Sequence, residues 1–227
     1  MFCILCRYLI DRSDPGWTGK ADELQAAHRL YGLNNDAPFE ADADPTRLRE
    51  IYELWRSRPA EAFVQFLSLA ESGSVWSMMQ VGYAYETGRG VPLDRVRAED
   101  WYLKAHEKGS DYCLLRVSAL AMRRSDFAKA RTILDIGVAR GLTRAMDYLA
   151  WMELKLSRNG EARRRARALY EQAIASGDFA ARMSYAHAVA RGRFGLREIP
   201  AGIRSLLAAA KDFSAQVDAE KNAQPRT

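Results

Sequence analysis

Cysteine and histidine are scarce in this chain, three of each in 227 residues. Cys3, Cys6 and Cys113 are an odd and widely spread set, which excludes a disulfide framework and predicts a reducing, cytoplasmic setting. Cys3 and Cys6 form a C-x-x-C pair, yet neither the second ligand pair that zinc requires nor the strand-to-helix context of a redox motif follows it. His28, His106 and His187 stand far apart, and none has a Cys, Asp or Glu at a metal-ligand spacing. No metal and no cofactor is therefore expected. Phosphate-cradling glycine loops and serine nucleophile elbows are missing too, so no catalytic residues are expected and the chain does not read as an enzyme. Long apolar runs are also absent. The stretch from Met1 to Ile10 is broken by Arg7, is too short to span a bilayer and lacks the basic start and small-residue cleavage site of a signal peptide, so no membrane span is expected.

What the chain does contain is ordinary for a water-soluble domain: 48% hydrophobic residues, 28% charged residues and a net charge of +5. The first 60 residues hold 8 Lys/Arg against 10 Asp/Glu, and the remainder 26 against 19. Mixed charges on exposed helix faces explain this mildly basic body more simply than an acidic partner does.

Glycines reveal the organisation. Gly73, Gly109, Gly141 and Gly177 each close a helical pattern, at intervals of 36, 32 and 36 residues. A period of that size marks a stacked repeat, because one helix pair alone cannot bury its apolar face. Eleven positions before each glycine stands an alanine (Ala62, Ala98, Ala130, Ala166), and seven before stands a large residue (Phe66, Tyr102, Leu134, Tyr170). Four before come Leu69, Ala105, Gly137 and Ala173, on the same helical stripe. On the other side of each glycine, the eighth and ninth positions give a larger then a small residue: Val81 and Gly82, Val117 and Ser118, Leu149 and Ala150, Tyr185 and Ala186. Small residues there predict close helix crossings. The fifteenth position brings Gly88 and Gly192, each opening a glycine turn that the two middle units lack.

One unit carries a specific signature: Gly88-Arg89-Gly90-Val91, then Asp94, Ala98, Trp101-Tyr102, Lys104-Ala105 and Gly109. This run resembles the Sel1-like repeat, a relative of the tetratricopeptide repeat. The resemblance extends more weakly through Ala130 to Gly141 and Ala166 to Gly177, and covers residues 45–210 in all. It departs from the pattern where Ile133-Leu134 and Leu169-Tyr170 replace Trp-Tyr. The fold it implies is all-α, a right-handed α/α solenoid of about five antiparallel helix pairs, with the first helix of each pair lining the concave face.

Caps and breakers place the elements. Asp44 and Pro45 start a helix through Ser57, and Pro59 opens the next. Further helices are expected over 75–87, 94–108, 111–123, 126–140, 143–157, 161–176, 179–191 and 200–214. Residues 1–44 read as an irregular leader with one short helix over Asp22 to Tyr31, residues 45–214 as the repeat domain, and 215–227 as a polar tail.

Such a chain reads as a non-catalytic adaptor or scaffold that binds a protein or peptide. Counting along the first helices puts Trp76, Met79, Tyr83, Tyr112, Leu115, Ala119, Arg144, Asp147, Trp151, Met183 and His187 on the concave face. Leu115 and Ala119 fit packing better than binding. Trp76, Tyr83, Tyr112 and Trp151 are the sharper anchors, since large amphipathic side chains dominate interfaces. The rival reading is RNA or another polyanion bound by Arg163, Arg164, Arg165 and Arg167, with Arg158 nearby. Basic residues at a helix start oppose the macrodipole, which favours some role beyond helix support. A regulatory subunit of an enzyme and a homo-oligomeric structural element are the other classes left open. Gly88 and Gly90 are expected to be structural.

Overall fold

The computed structural model describes residues 44–157 and 159–223. Among them are ten α-helices and no strand: α1 (Pro45–Ser57), α2 (Pro59–Glu71), α3 (Val75–Thr87), α4 (Arg95–Glu107), α5 (Tyr112–Arg123), α6 (Phe127–Ala139), α7 (Thr143–Leu156), α8 (Gly160–Ala175), α9 (Phe179–Ala190) and α10 (Ile199–Ala223). Cys3, Cys6, His28, Arg158 and the expected leader helix lie outside the described residues. Nine helices start and stop within about two residues of the sequence expectation. The tenth is longer, continuing to Ala223 where a polar tail was expected after residue 214.

The helix ends show why the sequence is so legible. Side chains of Asp44, Ser74, Asp94, Asp126, Asn159 and Asp178 each accept a hydrogen bond from a backbone N–H in the first turn that follows. At the other end, Gly73, Gly109, Gly141 and Gly177 all adopt positive φ. The N–H of the residue after each glycine donates back to a carbonyl five residues earlier: Ser74 to Leu69, Ser110 to Ala105, Leu142 to Gly137, Asp178 to Ala173. Four helices thus end in the same Schellman closure. Gly88 after α3 and Gly192 after α9 repeat the bond, from Arg89 to Ala84 and from Arg193 to Ala188, and so does the closure after α5, from Asp126 to Ala121, where Ser125 occupies the glycine position with φ +61°, the single non-glycine residue of positive φ among those described.

Two compact units divide the described residues, 44–145 and 146–223, with the boundary inside α7. In the first, each helix from α1 to α5 packs on the next; in the second, α8 packs on α9 and α9 on α10. The expected inner stripe is the core. Ala62, Ala98, Ala130 and Ala166 are fully buried, as are Phe66, Tyr102, Leu134 and Tyr170. Each of the large residues contributes about 1.5–3 kcal/mol by leaving water. The small residues are there for clearance: a Cβ on Gly82 would stand 2.8 Å from the Tyr102 ring, and one on Gly137 2.6 Å from the Ala145 Cβ.

Buried acids tie neighbouring pairs together. Glu86 on α3 accepts from the Tyr102 hydroxyl on α4 at 2.9 Å and from the Arg116 guanidinium on α5. Burial raises the Tyr102 pKa far above its ordinary value. Burial alone would lower that of Arg116, but Tyr102, Tyr112 and Glu86 outweigh it and raise it well above normal. Glu99 on α4 accepts from Arg124, at the end of α5, and from Lys129 in the first turn of α6. Burial would raise the Glu99 pKa, yet these two donors hold it below the ordinary 4.5.

Candidate functional site

On α1 and α3 the heptad-related positions Trp76 and Tyr83, and the i, i+3 pair Tyr52 and Trp55, form one aromatic group. Trp55 is its centre, with ring centroids 4.8 Å from Phe66, 5.9 Å from Tyr83 and 6.3 Å from Tyr52. Tyr52 also meets Trp76 edge-on at 5.8 Å. The guanidinium of Arg89, from the glycine turn, lies 5.1 Å from the Trp55 centroid and donates to the Trp55 carbonyl at 3.0 Å. The group is layered. Trp55 and Trp76 are buried, whereas Tyr52 is 50% and Tyr83 37% exposed. Two tyrosines therefore stand on a packed aromatic bed, one on α1 and one on α3, both against Trp55.

Of the residues that the sequence places on this face, Trp76 and Met79 are core residues. Trp76 packs on Phe66 at 5.5 Å, and the Met79 sulfur accepts from the Ser110 hydroxyl. Tyr83 packs its ring on Trp55 and stays partly exposed. Tyr112 and Arg144 are half-buried near the starts of α5 and α7. Tyr52 completes the surface, a residue that the sequence reading does not name. Its signal was an aromatic residue bordering the inner stripe of a first helix.

Farther along, in residues 146–223, Asp147 is buried and accepts from the Ser184 hydroxyl at 3.2 Å, joining α7 to α9. Burial first, and the Asp147 charge second, push the nearby Tyr170 pKa well up. Met183 is buried as well. Trp151 is half-buried with the Lys155 ammonium 4.7 Å from its ring, and His187 is half-buried in the last turn of α9.

The arginine group on α8 is already partly engaged. Arg165 pairs with buried Glu153 at 3.2 Å and with Glu161 at 2.8 Å. Arg167 donates to both Glu198 oxygens at 2.9 Å and to the Tyr185 hydroxyl at 2.7 Å, and lies over the Phe194 ring. These contacts hold the Arg167 pKa above its ordinary value, the Glu198 hydrogen bonds foremost. Arg163 is half-buried and Arg164 exposed. Gly88 and Gly90 both adopt positive φ in the turn between α3 and α4.

Among the described residues no group of three or more His, Cys, Asp or Glu could hold a metal ion. No helix among them is long and apolar enough to cross a membrane.

Comparison with known proteins gives a consistent picture. The Sel1 repeat family profile matches residues 77–110 and 143–178, which span α3–α4 and α7–α8 with the closing glycines Gly109 and Gly177. No curated protein matches the chain. Among solved structures, the Sel1 repeat protein from Oxalobacter formigenes is similar over 84% of this chain and 82% of its own, with a TM-score of 0.58 and 19% identity. The protective antigen c5321 of uropathogenic Escherichia coli, which displays an SLR fold, is similar over 82% of this chain with a TM-score of 0.55 and 16% identity. This chain spans about half of that antigen, 48% of its length.

Proposed function

From the premise that this is a Sel1-repeat helical protein, we propose that it is a non-catalytic adaptor or scaffold that holds a partner protein or peptide against its first helices. The observation that carries this reading is the pair Tyr52 and Tyr83, exposed on a bed of buried Trp55, Trp76 and Phe66. Side chains held this firmly lose little conformational freedom on binding, and tyrosine offers both a ring face and a hydroxyl to a partner. Tyr112 and Arg144, both half-buried, extend the proposed contact set within residues 44–145, and Trp151 and His187, half-buried on α7 and α9, form a separate proposed set within residues 146–223. Trp76 supports the tyrosines from below, whereas Met79 and Asp147 are buried in contacts of their own, with Ser110 and Ser184. The reducing, cytoplasmic setting belongs to the same proposal.

A polyanion reading finds less support, since Arg165 and Arg167 already face carboxylates and only Arg163 and Arg164 remain to carry it. A regulatory-subunit role would use the same surface, with an enzyme as the partner.

The test is a photo-crosslinking residue placed at Tyr83 and, as a control, at exposed Asp135 on α6. A protein captured from position 83 and not from 135 is then purified and titrated. Tyr52→Ala and Tyr83→Ala should each weaken it about thirtyfold, and together by up to about 700-fold, since each anchor of this kind contributes about 2 kcal/mol. Trp151→Ala tests the set in residues 146–223 separately and should weaken a partner held there about thirtyfold. Full affinity in the double tyrosine variant would sink the proposal.

A further inference from the structure

The last helix, α10, runs 25 residues from Ile199 to Ala223. One side of it is sealed onto α9: a Cβ on Gly202 would stand 2.3 Å from the Ala190 backbone nitrogen, and Ala209 is fully buried. Away from that contact the helix carries large apolar residues in water. Ile203 is 49% exposed and Leu207 68%, one turn apart, with Leu196 beside the helix start at 79%. Apolar residues continue along α10 at alternating spacings of four and three, Ile199, Ile203, Leu206, Ala210, Phe213 and Val217. That is the spacing of a helix that packs lengthwise on another helix.

The charge pattern says which helix. Through Lys211, α10 contains Arg204 and Lys211 and no acid, a net charge of +2; from Asp212 onward it contains Asp212, Asp218, Glu220 and Lys221, a net charge of −2. This order works against the helix itself, since the macrodipole favours acids at the start and bases at the end. It works equally against a parallel neighbour of the same sequence, which would set like charges side by side. Against an antiparallel copy it becomes complementary, with the basic half of each helix beside the acidic half of the other. Asp212 is partly engaged already, pairing with Arg182 of α9 at 2.8 Å while remaining about half exposed.

We propose that α10 is a self-association element: two copies of the chain pair through antiparallel α10 helices about a two-fold axis near the helix centre, with Ile203 and Leu207 in the seam. A two-fold contact uses the same patch on both copies, so one exposed stripe serves both sides. Because every seam residue counts twice, single substitutions should act strongly.

The experiment is sedimentation velocity of the full chain across a concentration series, with circular dichroism to verify folding. The wild-type chain should be dimeric at micromolar concentration. Leu207→Glu should weaken the dimer at least a hundredfold while leaving helicity intact, because Leu207 is exposed in the single copy. Reversing the basic half (Arg204→Glu with Lys211→Glu) should also give monomer, and reversing the acidic half in the same chain (Asp218→Lys with Glu220→Lys) should restore the dimer. A wild-type chain that stays monomeric at 100 µM overturns the proposal, as it would if another segment or a different protein covered α10. A dimer indifferent to Leu207→Glu overturns it too, and failure of the second reversal to restore the dimer excludes the antiparallel arrangement.

Discussion

Replacing Gly90 by alanine should destabilise the protein far more than the same change two residues earlier, at Gly88. Both glycines adopt the left-handed conformation, with φ +76° and +74°. A side chain in that region costs about 1–2 kcal/mol whatever surrounds it, so the backbone contribution is common to both. Their surroundings differ. A Cβ on Gly88 would meet Leu93 at ordinary distances of 3.4 Å and more, whereas one on Gly90 would stand 2.3 Å from the Pro59 carbonyl oxygen and 2.9 Å from the Ala60 nitrogen. Those atoms are backbone in the first turn of α2, a helix anchored by buried Ala62, Phe63 and Phe66, and they cannot swing aside as a side chain tip would. Forcing such a contact adds about 1–3 kcal/mol. Gly90→Ala should therefore cost about 2–5 kcal/mol against about 1–2 for Gly88→Ala. At roughly 2–4 °C per kcal/mol for a chain of this size, the extra 1–3 kcal/mol should separate the two melting temperatures by about 2–12 °C. Thermal and urea unfolding followed by circular dichroism would measure both. Equal losses at the two positions would show that the turn does not press on α2 and would remove the physical basis for the second glycine.

Two further outcomes follow from the same helix ends and ties. Ser125→Gly should stabilise by about 1 kcal/mol in urea unfolding, because serine pays for a conformation glycine adopts freely; an unchanged midpoint would mean that the Schellman closure after α5 carries no strain. Glu99, whose pKa is lowered on folding, contributes its full stabilisation above the ordinary value of 4.5 and loses it as the pH falls through the depressed folded value. Glu99→Gln should therefore be destabilised at neutral pH and show a shallower loss of stability from pH 5 downward, and parallel curves for the two proteins would contradict the tie to Lys129 and Arg124.

The helix boundaries were readable because they are written in local chemistry. An Asp, Ser or Asn before the first turn and a glycine after the last each act within a few residues, so the sequence carries the whole instruction. The length of α10 escaped because polar residues after Asp218 resemble a frayed end, while the apolar spacing of four and three runs on beneath them. The candidate face was only half legible. Trp76 and Tyr83 share one stripe of α3, yet Trp76 is covered by Tyr52 and Phe66, and no period within α3 reveals what another helix lays over it. The arginines of α8 show the same limit. Nothing near Arg167 in the sequence foretells Glu198, thirty-one residues away, or the ring of Phe194 beneath its guanidinium.

Each Schellman closure settles how one helix ends without consulting the helix that follows. At Gly73, Gly109, Gly141 and Gly177 an added Cβ would meet no atom within 4 Å, so these corners face open space. A gene encoding such a chain can be lengthened at a corner by a whole helix pair, or can accept an unrelated stretch there, with both flanking helices still terminating correctly. The joints between repeats are thereby the places where this architecture can be spliced, and a short tag inserted directly after one of these glycines would report on it.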